Sequence, residues 1–84
     1  MRAYHCTTPK KFERYKTTGA ILPPVRFWST EYSARKWMKK TGRSILLVFD
    51  ISERVFPLPV KGGAFWTDQM IRNYQIHFEN DFYS

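Results

Sequence analysis

The residues of this chain best suited to chemistry stand near its amino terminus, in the segment Tyr4-His5-Cys6-Thr7-Thr8-Pro9. His5 and Thr7 are two residues apart, so an imidazole and a hydroxyl would share one face of a strand. Thr8 and Pro9 are typical of a helix start, because threonine caps helices and proline suits the first helical position. A strand that ends in His-x-Thr just before a helix predicts a small-molecule site there.

Metal binding and thiol chemistry have less support in the sequence. Cys6 is the only cysteine, and its neighbour His5 would point to the opposite face of the strand. A closed zinc site needs about four ligands, so we expect no metal and interpret Cys6 as a small buried hydrophobic residue. A single cysteine forms no internal disulfide, and the chain has no signal-peptide pattern. Together these features predict a cytoplasmic location.

Hydrophobic periodicity and helix-end signals predict an α+β domain spanning residues 1–84. Strands are expected at residues 2–7, 25–28 and 44–51, helices at 9–17 and from a cap at Ser29 or Thr30 to Gly42, an extended proline-containing segment at 55–60, a brief strand at 64–66, and a last strand at 74–79. The expected sheet is small, mixed or antiparallel, in the order βαβαβββ, with two early helices and with 44–51 at its centre.

Two apolar patterns predict which side chains face the core. In the second helix, the stripe at helical spacing is Ala34, Trp37, Met38 and Thr41. In the last strand, Tyr74, Ile76 and Phe78 alternate with Gln75, His77 and Glu79, which predicts one buried face and places Gln75 and Glu79 together on the other.

The net charge of +7 is unevenly distributed along the chain. Residues 1–43 carry a net charge of +9 and residues 44–84 a net charge of −2. A surplus of this kind attracts phosphate-bearing partners, either a nucleotide or a nucleic acid. The longest apolar run, residues 45–49, is too short to cross a bilayer, so we expect no membrane partner. We also expect a monomer or a small homo-oligomer.

The order of these features resembles the first half of the ADP-ribosyltransferase fold over roughly residues 3–49. The resemblance rests on Tyr4-His5-Cys6-Thr7, a short helix, Gly19-Ala20-Ile21, the strand at 25–28, Ser29-Thr30 and a helix with Ala34. That family includes diphtheria-toxin-like and poly(ADP-ribose) polymerase-like domains and the RNA 2′-phosphotransferases. The resemblance implies a domain that binds NAD or a related phosphorylated nucleotide, with or without catalytic activity.

The resemblance also implies roles for individual residues. His5 and Glu79 would be the catalytic residues: His5 would match the histidine that hydrogen-bonds a ribose of NAD, and Glu79 would match the catalytic glutamate. Arg26 would match a phosphate-binding cation, since guanidinium geometry suits phosphate. The implied ligand-binding residues are His5, Cys6, Thr7, Arg26, Trp28 and Ser29.

Two other functions fit the same sequence. One is a nucleic-acid-binding module that uses the basic stripe of the second helix: Arg35, Lys36, Lys39, Lys40 and Arg43. The other is a protein-binding or inhibitory factor that uses the aromatic residues of the second half: Phe65, Trp66, Phe82 and Tyr83.

Overall fold

A computed structural model describes residues 1–79 as two helices and a six-stranded sheet. The strands are β1 (Arg2–Thr7), β2 (Val25–Trp28), β3 (Ile45–Asp50), β4 (Val55–Pro57), β5 (Ala64–Thr67) and β6 (Gln75–Glu79), and the helices are α1 (Pro9–Thr18) and α2 (Glu31–Thr41). The predicted α+β class is therefore confirmed. The predicted order lacks one strand, because the proline-containing segment after β3 pairs with β5 and forms β4.

Both helices have the caps and the terminating glycines that the sequence predicts, and α1 runs one residue further than predicted, to Thr18. The hydroxyls of Thr8 and Thr30 each accept the backbone N–H three residues on, at 3.2 and 3.3 Å. Gly19 and Gly42 end the helices with φ of 78° and 74°, a left-handed conformation that glycine adopts without a steric cost.

The strands lie in the order β4-β5-β2-β1-β3-β6, and every neighbouring pair is antiparallel. The prolines of the 55–60 segment lie at one edge, as expected of residues that cannot donate to a ladder. The prediction that β3 is the central strand is wrong. It lies one strand in from the edge, because the β4–β5 hairpin extends the sheet on the opposite side.

The two faces of the sheet carry separate hydrophobic clusters, so β3 is buried on both sides as predicted. The α1 face contains Ala3, Phe12, Ile21, Val25, Phe27, Ile45, Leu47, Phe49, Ile51 and Ile71. The α2 face contains Cys6, Ala34, Met38 and Leu46, with Tyr4, Trp28 and Phe78 packed against them. Alternation along each strand therefore decides which helix a side chain meets.

A β-bulge at His77 overturns the predicted single apolar face of β6. Leu46 lies opposite Phe78, whereas its neighbour Leu47 lies opposite Ile76, so His77 is an extra residue in the ladder. Phe78 consequently joins the α2 face, and the side chain of Ile76 is 50% exposed. An inserted residue reverses the alternation beyond it, which a period-2 pattern cannot anticipate.

The bulge brings the edge strand into contact with the start of α2. His77 Nε2 lies 2.7 Å from Glu31 Oε1, and Arg35 Nε donates to the other carboxylate oxygen at 2.6 Å. The hydrogen bond from Arg35 has the larger effect and that of His77 the smaller, and together they hold the pKa of Glu31 below its ordinary value.

Neither helix is long and apolar enough to cross a membrane.

Candidate functional site

The imidazole of His5 is held by two partners on neighbouring elements. Nδ1 lies 2.6 Å from the Arg26 carbonyl oxygen, and Nε2 lies 3.2 Å from the Tyr15 hydroxyl. A carbonyl only accepts, so Nδ1 carries the proton and Nε2 accepts from Tyr15. Burial lowers the pKa of His5 to about 4 against the opposing effect of the Arg26 carbonyl, and Arg43 and Lys11 lower it further. His5 is therefore neutral at physiological pH.

This lowered pKa predicts a loss of stability in mild acid. The unfolded chain binds a proton at the ordinary histidine pKa of about 6.5, whereas folded His5 protonates only near pH 4. Stability is therefore complete above pH 6.5 and falls as pH decreases towards 4, with the folding constant falling by up to about tenfold per pH unit. His5→Asn retains a donor for the Arg26 carbonyl without an ionisable ring, so its urea midpoint should fall less between pH 7 and pH 5.

The His5→Asn comparison cancels the pH dependence of every group that the two proteins share. Parallel pH profiles for the two proteins would contradict the predicted role of His5.

The two residues that follow His5 on β1 are packed into the protein interior. Thr7 is fully buried on the α1 face, and its hydroxyl has no hydrogen-bond partner among residues 1–79. Cys6 lies on the α2 face, where its thiol donates to the Ala34 carbonyl at 3.2 Å and where burial raises its pKa to about 12. A thiol with this pKa is not a nucleophile at neutral pH. Within the described residues, no three His, Cys, Asp or Glu side chains are placed to hold a metal ion.

Glu79 shares the α1 face with Thr7 but lies on the far side of β3. Ile45 is opposite Thr7 on one side and opposite Glu79 on the other, so two interstrand spacings, about 10 Å, separate the two strands. Gln75 lies opposite Val48 on the α2 face. The prediction that Gln75 and Glu79 share a face is therefore wrong, because the bulge lies between them.

The remaining predicted ligand residues lie on or beside β2. Arg26 is exposed, and Trp28 packs on the α2 face. The Ser29 N–H donates to the Gly63 carbonyl at 2.9 Å, at the end of the strand. His5, Thr7 and Glu79 thus lie on the α1 face, and Cys6, Arg26 and Trp28 lie on the α2 face. The assignment of an NAD site to these residues stays a prediction.

Trp28 forms part of an open groove of about 800 Å³ between α2 and the turn that joins β4 to β5. We call it the α2 groove. Its lining residues are Trp28, Tyr32, Ser33, Lys36, Trp37, Lys39, Lys40, Val60, Lys61 and Gly62. Its size is within the range of small-molecule sites.

Aromatic side chains in the α2 groove are open to solvent. Tyr32 is 74% exposed and Trp37 is 37% exposed, with its ring centroid 6.0 Å from that of Trp28. The prediction that Trp37 faces the core is wrong. The i, i+4 pair Ala34 and Met38 occupies the contact with the sheet, and Trp37 lies on the flank of the helix. Thr41 is also exposed.

Cations of the predicted basic stripe surround these rings. Lys36 Nζ lies 5.6 Å from the Tyr32 centroid, and Lys40 Nζ and the Arg43 guanidinium each lie 5.9 Å from the Trp37 centroid. Arg35 does not join them. It points towards β6, where its guanidinium lies 4.2 Å from the Phe78 centroid. The groove therefore combines exposed aromatic rings with several positive charges.

The opposite wall of the groove depends on Gly62. A Cβ at this position would lie 3.0 Å from the Trp28 ring and 3.2 Å from Ser33 Oγ, and φ is 102°. Only glycine allows the turn to approach α2 this closely, and the approach brings Lys61 opposite the lysines of the helix. The sequence predicts a turn at Lys61-Gly62-Gly63 but not this contact. The only sequence feature that pointed to this contact is a lysine followed by two glycines.

Of the aromatic residues predicted as a protein-binding surface, Phe65 packs against the cluster on the α1 face. Trp66 is half-buried on β5. Phe82 and Tyr83 lie outside the described residues, so the predicted patch is not assembled within them.

The chain shows no similarity to known proteins in three comparisons. No protein-family model matches the chain, no curated protein matches it, and no solved structure matches it.

Proposed function

We propose that this protein binds single-stranded nucleic acid in the α2 groove. The observation that carries the proposal is the position of Trp37, an exposed indole with Lys40 and Arg43 over its ring and Lys36 and Lys39 on the same helix. Proteins that bind single strands combine aromatic side chains for base stacking with cations along the phosphate backbone.

The aromatic part of the groove favours a single strand over a duplex. Stacking on Trp37 or Tyr32 requires the face of a base, and in a duplex the base faces are covered by neighbouring base pairs. A single strand presents unstacked bases to such rings.

The basic part of the groove supplies contacts that do not depend on base sequence. Lys36, Lys39 and Lys40 come from α2 and Lys61 comes from the opposite turn, so a backbone between them meets positive charge on both sides. Phosphate contacts of this kind release counterions, which makes the affinity depend steeply on salt concentration.

Removal of the Trp37 ring tests the proposal most directly. Trp37→Ala should lose about 1–3 kcal/mol of binding free energy, the value of one base–aromatic stack. The measurement is fluorescence anisotropy of a labelled oligonucleotide of mixed sequence, single-stranded or annealed to its complement. Met70→Ala is the matched control, since it also removes an exposed apolar side chain but lies outside the groove.

Three results would contradict the proposal: no binding of the single strand, equal or tighter binding of the duplex, or equal losses in the two variants. The same protein should be melted with and without NAD. A rise in melting temperature with NAD that His5→Ala abolishes and Trp37→Ala leaves intact would instead favour the nucleotide-binding function that the family resemblance implies.

A further inference from the structure

A second group of aromatic and basic side chains lies on the same sheet face as the α2 groove. Trp66 is opposite Arg26 on one side and opposite Phe56 on the other, so these three side chains share a face. Trp28, two residues after Arg26, also lies on that face and lines the groove. The row Phe56, Trp66 and Arg26, which we call the sheet platform, therefore adjoins the groove.

The two rings of the sheet platform are arranged as a stacking surface. The centroids of Phe56 and Trp66 are 4.7 Å apart, with an angle of 36° between the ring planes, and both side chains are half-buried. The hydrophobic cluster beneath α2 contains neither ring. Each ring is thus partly covered by the strands and by the other ring, and part of its surface is accessible to a partner.

The cations beside the platform differ in their availability. The Arg54 guanidinium lies 5.8 Å from the Phe56 centroid, but Asp68 holds it through a two-pronged ion pair, Nε to Oδ1 being 2.6 Å. Arg26 is exposed, and within the described residues no carboxylate lies within 4 Å of it. Arg26 is therefore the cation of the platform that is available to a phosphate.

We propose that the nucleic-acid strand in the α2 groove continues onto the sheet platform, stacking a base on Phe56 and Trp66 and placing a phosphate at Arg26. This inference rests on the proposed function of the groove. Two features support the choice of occupant: the positive charge of Arg26 complements a phosphate, and Trp28 makes the two surfaces continuous.

Strand length distinguishes the platform from the groove. An oligonucleotide of about four nucleotides is at the lower limit of single-strand site sizes, and one of about twelve can occupy both surfaces. Arg26→Gln/Phe56→Leu removes the charge and the ring while preserving most of the apolar volume. We expect the double variant to bind the long strand about 5–50-fold more weakly and the short strand as well as the unmodified protein does.

Arg26→Gln alone tests the platform without the change at Phe56, which could impair folding. Arg72→Gln is the control for this variant, because it also replaces an exposed arginine but lies away from the platform. Arg26→Gln should weaken binding of the long strand only, and Arg72→Gln should weaken neither. An unchanged affinity of the double variant for the long strand, or an equal loss for both lengths, would overturn the inference. If the unmodified protein binds neither length, the proposed function of the groove fails and the inference fails with it.

Discussion

Replacing Lys36, Lys39 and Lys40 by alanine is expected to weaken binding of single strands by about 500-fold at a salt concentration of about 50 mM. Each phosphate contact to a single strand contributes a slope of about −0.7 to the dependence of log affinity on log salt. Between 1 M and 50 mM salt, this slope corresponds to an affinity about eightfold higher per contact, and three contacts together give about 500-fold. The three lysines line one wall of the groove. Their loss should also make the salt slope shallower by about 2.

Lys10→Ala/Lys11→Ala/Arg14→Ala is the matched control for this variant. It removes the same number of positive charges from exposed positions on α1, which lies against the other face of the sheet. Fluorescence anisotropy across a salt series should show a slope close to that of the unmodified protein. If both triple variants lose affinity equally, binding depends on net charge and not on the groove.

Truncating Phe27 is expected to have the largest effect on stability, a decrease of about 3–5 kcal/mol in the free energy of unfolding. Phe27 is 2% exposed, and its ring centroid lies 5.5 Å from that of Phe49 and 6.0 Å from that of Phe65. Phe27→Ala leaves a cavity where aromatic rings from β2, β3 and β5 pack together. A domain of this length is stable by about 4–13 kcal/mol, so urea denaturation should show a large part of that stability lost.

Tyr32→Ala provides the contrast in the same denaturation experiment. The side chain is 74% exposed, so its removal should change the free energy of unfolding by no more than about 0.5 kcal/mol. It should nevertheless weaken binding of single strands, because the ring lies in the groove. A large loss of stability in Tyr32→Ala, or a small one in Phe27→Ala, would contradict the assignment of core and surface.

The local elements follow from the sequence because their signals act over a few residues. Thr8 and Thr30 cap the two helices, and Gly19 and Gly42 end them. All four positions can be identified without tertiary structure, since capping hydrogen bonds and left-handed turns involve only neighbours in the chain. The alternation that separates His5 from Cys6 is local in the same sense.

The last strand shows where local reasoning stops. Its period-2 pattern predicts one buried face, but the pairing with β3 inserts His77 and places Phe78 on the α2 face. Which residue of a strand is left unpaired depends on what the neighbouring strand and helix offer. Here His77 forms a hydrogen bond with Glu31 of α2. The two residues are 46 positions apart, so no local pattern predicts this contact.

Periodicity, capping residues and charge are enough to predict the α+β class, both helices and their caps, and the basic character of the second helix. Tertiary structure alone decided that Trp37 is a surface residue, because Ala34 and Met38 occupy the contact with the sheet and leave the indole beside Trp28. It also decided that Gly62 brings Lys61 to the opposite wall. His5 and Thr7, prominent in the sequence, are engaged within the fold, since a hydrogen-bonding side chain on a strand can serve packing as readily as a ligand.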